Sequence, residues 1–518
     1  MKTIQHFAPD FLPALARVKD PRNPDRILYS VQQELLVTIL GFMVHVGSRR
    51  NFKYMLNTPA FIQNLQEVGR TFYPGTFFPD SVPHGCTLNY LLKAVPPAEV
   101  HALRTLLIRA LLRGRCLERF RLVDRCYMIA IDGTGCLTFK KKHCEHCLKK
   151  TKDGKVLYYY HSVLEAKLVL GNGMVFSIAT EFIENERADV SKEDCELNAF
   201  YRLEKQIKQD FPQLRICLLL DGLYAGEPVF RICEENRWDY LITFKGGSMP
   251  AVFREYETLR SCTPENQLIV EHKRGRLPAA QSLGPSQKAC ALRARLADSQ
   301  ANPQASGDPE TAPWENERSC FAQQNRSQPK GAKRPSDHPV DRVPRRQVRY
   351  GSERPRRQIF RWINDVITDK RTVNVLECTD KTTQEDKYFA WLSSIRVNMT
   401  NVEELGNGGG RLRWKIENEG FNIQKNGGYE LEHAFSMNNT AMKNFYVLMQ
   451  IGHIYNQLME KGSLLRERIR ATMGSLKVFS RMMWAELTQI VIDPNRLRAL
   501  LGRRIQIRFE TSYLFDTS

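Results

Sequence analysis

The stretch from Tyr127 to Gly135, Tyr-Met-Ile-Ala-Ile-Asp-Gly-Thr-Gly, is a short β-rich run that stops at Asp132, followed at once by glycine. Residues 216–222, Ile-Cys-Leu-Leu-Leu-Asp-Gly, repeat the design. An apolar run of this length bounded by turn formers reads as a buried strand, which puts Asp132 and Asp221 where two strands give out. Between them, 162–170 and 174–183 bracket Gly171-Asn172-Gly173, a strong hairpin signal. The periodicity then predicts a helix over 192–209, a strand over 215–220, a helix over 228–236 and a strand over 238–244.

Three antiparallel strands followed by helix, strand, helix and strand is the order of a ribonuclease H-like core. The fold class expected is therefore α/β, a mixed sheet with flanking helices, and the two aspartates meet at adjacent strand ends. A chain of 518 residues is too long for one simple core. The pattern before the core is helical, with Leu35, Leu36, Ile39, Leu40 and Met43 in one run and Leu103, Leu106, Leu107 and Leu111 in another. The expected layout is an all-helical N-terminal domain at 1–121, suited to DNA ends, and the first part of the core at 122–253. An insertion follows at 254–405, with a catalytic helix and the end of the core at 406–450 and a C-terminal helical region at 451–518. Within the insertion, 274–357 is rich in Pro, Ser, Gln, Ala and Arg without apolar periodicity, which predicts disorder. Order is expected to resume at Ile359, with 359–400 forming a small β-rich domain.

The 76 Lys and Arg against 57 Asp and Glu leave a formal charge of +19. That excess favours a polyanionic partner such as nucleic acid, although a merely cationic protein has the same balance. No signal peptide opens the chain, and the apolar stretch at 35–46 is too short to span a bilayer, so no membrane role is expected. The 13 scattered cysteines argue against a disulfide framework and for a reducing cytoplasm.

Downstream of Gly408-Gly409-Gly410, read as a flexible joint, comes Arg413-Trp414-Lys415-Ile416-Glu417. At 100° per residue Arg413, Glu417, Gly420 and Gln424 share one polar helical face, while Trp414, Ile416 and Phe421 supply an apolar side for docking on a core. Gly420 on that face leaves room for a close neighbour such as a DNA backbone. Arg413 and Glu417 alone read equally as a surface i,i+4 pair. Arg49, Arg50 and Lys53, beside Phe52 and Tyr54, form a small basic cluster that reads either as a DNA contact or as a solvated helix face.

His143-Cys144-Glu145-His146-Cys147 packs four potential zinc ligands into one short segment, with Cys126, Cys136 and His161 near in sequence. A C-x-x-C pair can seat half of a tetrahedral zinc site. It reads equally as reduced cysteines in a lysine-rich hairpin, given Lys140, Lys141, Lys142, Lys149 and Lys150.

The residues resemble the bacterial insertion-sequence transposases of the DDE type, in the subgroup with the signature Y-(2)-R-(3)-E-(6)-K. The likeness is strongest over 130–253 and 360–445. It makes Asp132, Asp221 and Glu417 the catalytic triad and Arg413 the signature arginine. Gly410 stands where the signature has tyrosine, and Gln424 where it has lysine, with Lys425 one place on. The resemblance implies two Mg²⁺ or Mn²⁺ ions held by the triad, Asp132 bridging both. It also implies DNA contacts from Arg413, Lys425 and Trp391, the last against a flipped base unless it is a core aromatic. A homodimer in a synaptic complex, acting on DNA in the bacterial cytoplasm and nucleoid, is implied as well. Two alternatives stay open: a ribonuclease H-like nuclease without strand transfer, and a decayed DNA-binding remnant.

Overall fold

The computed structural model describes residues 1–185, 193–274, 345–350, 356–368, 370–382, 385–469 and 473–510. Strands β1 (Tyr127–Phe139), β2 (Leu148–Lys152), β3 (Lys155–Val169) and β4 (Val175–Ile183) precede the helix Glu196–Asp210. Strand β5 (Ile216–Leu220), the helix Glu227–Asn236 and strand β6 (Asp239–Thr243) follow. β1 and β3 pair antiparallel, with Ile129 opposite Leu168 and Asp132 opposite Glu165. β3 turns into β4 through Asn172, whose Oδ1 accepts from the Met174 amide at 3.2 Å, and through Gly173 at φ 85°. β1, β5 and β6 are parallel neighbours. The order β4-β3-β1-β5-β6, antiparallel on one side and parallel on the other, is the ribonuclease H-like arrangement expected from the sequence. β5 is buried along its whole length, which is why its sequence runs unbroken apolar instead of alternating.

Two features differ from expectation. β1 does not stop at Asp132 but continues to Phe139, because β3 pairs with it as far as Tyr159; what ends near Asp132 is the pairing to β5. In addition, β2 and the first part of β3 form a ribbon, with Leu148 opposite Tyr160 and Lys152 opposite Lys155. Its lysine-rich strand carries no apolar alternation for a sequence reading to find.

Beyond β6 the sheet continues through β11 (Asp386–Ser393), β10 (Thr372–Lys381) and β9 (Arg356–Ile367). β11 pairs antiparallel with β6, setting Trp391 opposite Thr243. The strands expected as a small inserted β domain thus extend the core sheet.

The run around Leu35 is the buried helix Val31–Met43, and Pro97–Arg113 is the second expected helix. The helix Asn439–Lys461 is N-capped by Asn438 and buried over most of its length. It ties the N-terminal helices to the sheet through buried amides. Asn444 donates to the carbonyls of Leu92 and Val95, both at 2.8 Å, and Asn456 to that of Met43 at 2.9 Å. Gln457 accepts from the Val175 amide at 2.6 Å and donates to its carbonyl at 2.9 Å. The side-chain nitrogens of Asn444 and Asn456 and both polar atoms of Gln457 are satisfied in this way, which fixes register as well as position. Among the described residues no helix is long and apolar enough to cross a membrane.

Apart from the start of β9, the end of β10 and the first residue of β11, these elements belong to one compact unit, Met1–Gln267 with Ile359–Thr379 and Lys387–Ser518. A second unit comprises Leu268–Gln358 and Asp380–Asp386. In it β7 (Gln267–Arg274) and β8 (Arg345–Tyr350) pair in parallel, from Ile269 opposite Arg345 to Arg274 opposite Tyr350. Order therefore returns before Ile359. The rest of the stretch expected to be disordered, 275–344 and 351–355, lies outside the described residues.

Candidate active site

Asp132 and Asp221 are placed by strand register. The last parallel pair between β1 and β5 is Ala130 with Leu219, and each aspartate comes two residues further along its own chain. Neighbouring strands lie roughly 4.8 Å apart, so the two residues stand on adjacent backbones at matched height. Asp221 is held by its own turn, with Oδ1 accepting from the Leu223 amide at 2.8 Å.

Glu417 arrives on an irregular helix: a wide turn over Glu404–Gly409, a tight one over Gly410–Trp414, another wide turn over Ile416–Asn422 and a final α turn at Ile423–Asn426. Wide turns of this kind leave backbone groups poorly paired, and they recur at functional sites. The glycines before it are not a flexible joint. Added Cβ atoms would overlap Phe360 at Gly406, Leu241 at Gly409 and the Trp391 indole at Gly410. Absence of side chains lets the segment lie directly on the sheet, which delivers Glu417 to the strand ends.

There Arg413 joins two of the three carboxylates. Its Nη2 is 2.9 Å from Glu417 Oε1, and its Nη1 is 3.6 Å from Asp132 Oδ2. The guanidinium is buried, so the i,i+4 pair is no solvated surface bridge. Burial raises the Asp132 carboxyl, Arg413 pulls it down and the adjacent Glu417 raises it again, leaving it at about 7. A carboxyl held so high keeps a proton that a cation can displace.

A fourth carboxylate stands here that the sequence reading missed. Glu196 opens the helix after β4, and a Cβ on Gly133 would collide with its carboxylate. Glycine after Asp132 is therefore what admits Glu196. Its carboxyl is raised by burial and by Asp221. An acidic residue in a first helical turn is ordinary on dipole grounds, so nothing in the sequence set Glu196 apart.

A cleft of about 870 Å³ opens over Asp221 and Arg413, lined also by Lys245, Ser248, Phe389, Trp391 and Trp414. Trp391 is a strand residue only 3 % exposed, whereas Trp414, expected to dock on the core, is 51 % exposed at the cleft. Arg413 lies over the Trp414 ring at 4.8 Å. Lys425 pairs with Glu432 at 2.8 Å. Gln424 is fully buried and accepts from Lys167 Nζ at 3.0 Å, in a network with Gln450 and His453. Gly420 faces that same Lys167 side chain, so the room it leaves is taken by protein and not by a DNA backbone. In the basic cluster near the N-terminus, Phe52 is buried in the core while Tyr54 is exposed.

Away from the carboxylates, Cys144, Cys147 and His161 converge. The two sulfurs are 3.6 Å apart, and each lies 3.4 Å from His161 Nε2. Of the ligands proposed from sequence, the two cysteines meet and His161 joins them. His146 instead turns its Nδ1 to the Asn185 carbonyl at 2.9 Å. His143 stays near, its ring centroid 6.2 Å from that of His161.

No protein-family model and no curated protein sequence matches the chain. Among solved structures, the cryo-EM structure of the piggyBac transposase synaptic complex with hairpin DNA aligns over 97 % of this chain and 84 % of that one. The identity is 10 % and the TM-score 0.32. A likeness of that order does not establish a shared fold.

Proposed function

We propose that the chain is a DNA transposase of the DDE type, which cleaves phosphodiesters at the ends of an insertion sequence and joins the freed 3′-hydroxyl to target DNA. One observation carries this reading: Asp132 and Asp221 sit at register-matched positions on neighbouring parallel strands, with Arg413 linking Asp132 to Glu417. The cleft beside them and the charge of +19 suit a polyanionic substrate.

Asp132, Asp221 and Glu417 would hold Mg²⁺ or Mn²⁺, whose oxygen preference matches an all-carboxylate donor set. When bound, a pair of such ions activates water and neutralises charge on the phosphorus oxygens. The chain's own groups do the rest. Arg413 offers a planar fork of donors to a phosphate once a cation satisfies the carboxylates it now bridges. Lys245 adds a cation to the cleft wall, and the exposed ring of Trp414 offers a face on which an unpaired base can stack. Lys425, released from Glu432, would reach a phosphate, and two copies would hold the two element ends together.

The test is cleavage of supercoiled plasmid carrying the element's ends, with Mg²⁺ or Mn²⁺, by wild type and by Asp132→Ala, Asp221→Ala and Glu417→Ala. Loss of nicking in all three supports the triad; nicking that survives Glu417→Ala overturns its assignment. Integration of a labelled, pre-cut end separates a transposase from a nuclease without strand transfer. Tight binding with no cleavage identifies a decayed remnant.

A further inference from the structure

We propose that Cys144, Cys147 and His161, closed by His143, form a zinc site at the base of the β2–β3 ribbon, separate from the carboxylate site. The geometry carries the assignment. With Zn–S of about 2.3 Å and Zn–N of about 2.0 Å, tetrahedral angles set two sulfurs about 3.8 Å apart and sulfur and nitrogen about 3.5 Å apart. The three separations here are 3.6, 3.4 and 3.4 Å. A disulfide would need the sulfurs at about 2.05 Å. Two thiols in simple contact would explain one of the three distances and leave the imidazole nitrogen's equal approach to both sulfurs unexplained.

His143 supplies the fourth ligand. It is half-buried, with its ring edge-on to Phe139 at 4.7 Å and to His161 at 6.2 Å. Two imidazoles on one tetrahedral ion have ring centres roughly 5 Å apart, so a turn of the His143 side chain completes the set. Thiolate and imidazole donors in equal number suit zinc above the hard cations that carboxylates hold.

The loop is already braced for such a site. Asn185 at the end of β4 donates from Nδ2 to the Cys147 carbonyl at 3.1 Å and from its amide to the His146 carbonyl at 3.2 Å, while its own carbonyl meets His146 Nδ1. His146 thereby serves the loop's shape and not the ion. Outer contacts of this kind orient metal ligands.

The role is structural. His161 lies opposite Leu137, four residues along β3 from Glu165, the partner of Asp132. At about 3.3 Å per residue the site is roughly 13 Å from that carboxylate. It fastens the β1–β2 loop to β3 where the ribbon begins, and the ribbon beyond it carries the exposed Lys149, Lys150, Lys152 and Lys155.

The test uses the full chain, purified without chelator from zinc-supplemented cells. Elemental analysis should find about one zinc ion per chain, released when a mercurial blocks thiols. The cobalt derivative should show the thiolate-to-cobalt charge-transfer band and the intense ligand-field absorption of a four-coordinate site. Carboxylate-bound cobalt gives no such charge-transfer band. Cys144→Ser should weaken that band, while Cys262→Ser, at an exposed cysteine, should leave it intact. His143→Asn should keep it and lower zinc affinity at least about tenfold. Zinc far below one per chain together with no charge-transfer band overturns the site. An unchanged zinc affinity in His143→Asn overturns the fourth ligand. If Cys144→Ser fails to fold, the wild-type cobalt spectrum still decides. Neither readout depends on DNA cleavage.

Discussion

Gly410 rests its α-carbon against the indole of Trp391, leaving no room for a β-carbon. Trp391 cannot yield, since it is buried in β11 and paired to β6. Gly410→Ala should therefore cost about 1–3 kcal/mol by overpacking. Because the displaced segment leads straight to Glu417, cleavage should fall further than stability does. Gly410→Tyr, which restores the signature residue, should be worse. Thermal unfolding and nicking rates measured together check this; unimpaired nicking in Gly410→Tyr would sink the packing argument.

Restoring the other signature residue should also fail. Gln424→Lys puts a second ammonium into a buried network whose donor is Lys167, fully buried and 3.9 Å from Glu165. An uncompensated buried charge costs about 3–5 kcal/mol. Urea unfolding should show a loss of that size, and a stability equal to wild type would mean Gln424 is free to turn outward.

The sheet order and the two aspartates were legible in the sequence because strand burial and hairpin chemistry are written locally. The unbroken run before Asp221 announces a strand covered on both faces, and Gly171-Asn172-Gly173 announces the turn. What escaped notice was set by contacts distant in sequence. Trp391 and Trp414 look alike as letters, yet one is roofed by glycines 406–410 and the other faces the cleft. Periodicity at 100° per residue gave the Arg413–Glu417 pair but not the wide turns, which no side-chain pattern encodes. Glu196 was hidden by an ordinary role, and the preference for His161 over His146 by the hairpin that folds His161 back onto Cys144 and Cys147.

Trp414, and not Trp391, should contribute to DNA affinity. Base stacking on an aromatic ring is worth about 1–3 kcal/mol, so Trp414→Ala should weaken binding of a branched or nicked end roughly 5- to 150-fold. Trp391→Phe, in contrast, should leave affinity within about twofold, since the residue is strand core. Fluorescence anisotropy with a labelled oligonucleotide reads both, and the reverse order of effects would return the stacking role to Trp391.

Glu196→Gln keeps shape and removes charge beside Asp132 and Asp221. Loss of a supporting carboxylate at a metal site costs about 10- to 100-fold in metal affinity or activity. Nicking titrated with Mn²⁺ should show a higher metal requirement with fold intact by circular dichroism. An unshifted metal curve would make Glu196 a helix-end residue alone.

His101 is half-buried beside Arg104 and Lys443, with its Nε2 sealed from solvent, and its proton affinity is lowered to about 3, burial being the chief cause. The unfolded chain binds a proton here below about pH 6.5 and the folded one does not. Stability from this residue is thus fully present above that pH and lost as pH falls, by up to about 1.4 kcal/mol per pH unit. His101→Gln should flatten the acid limb of stability, measured by urea unfolding between pH 7.5 and 5, by one proton's slope; parallel limbs for the two proteins would refute it.

β11 lies between β6 and β10 in the sheet, and the glycine-rich segment that carries Glu417 into place packs on it at Trp391. The third carboxylate therefore takes its position from a strand already woven into the sheet and not from the length of chain that precedes it. Two stretches far apart in the chain, 239–243 and 386–393, thus share the work of seating one side chain.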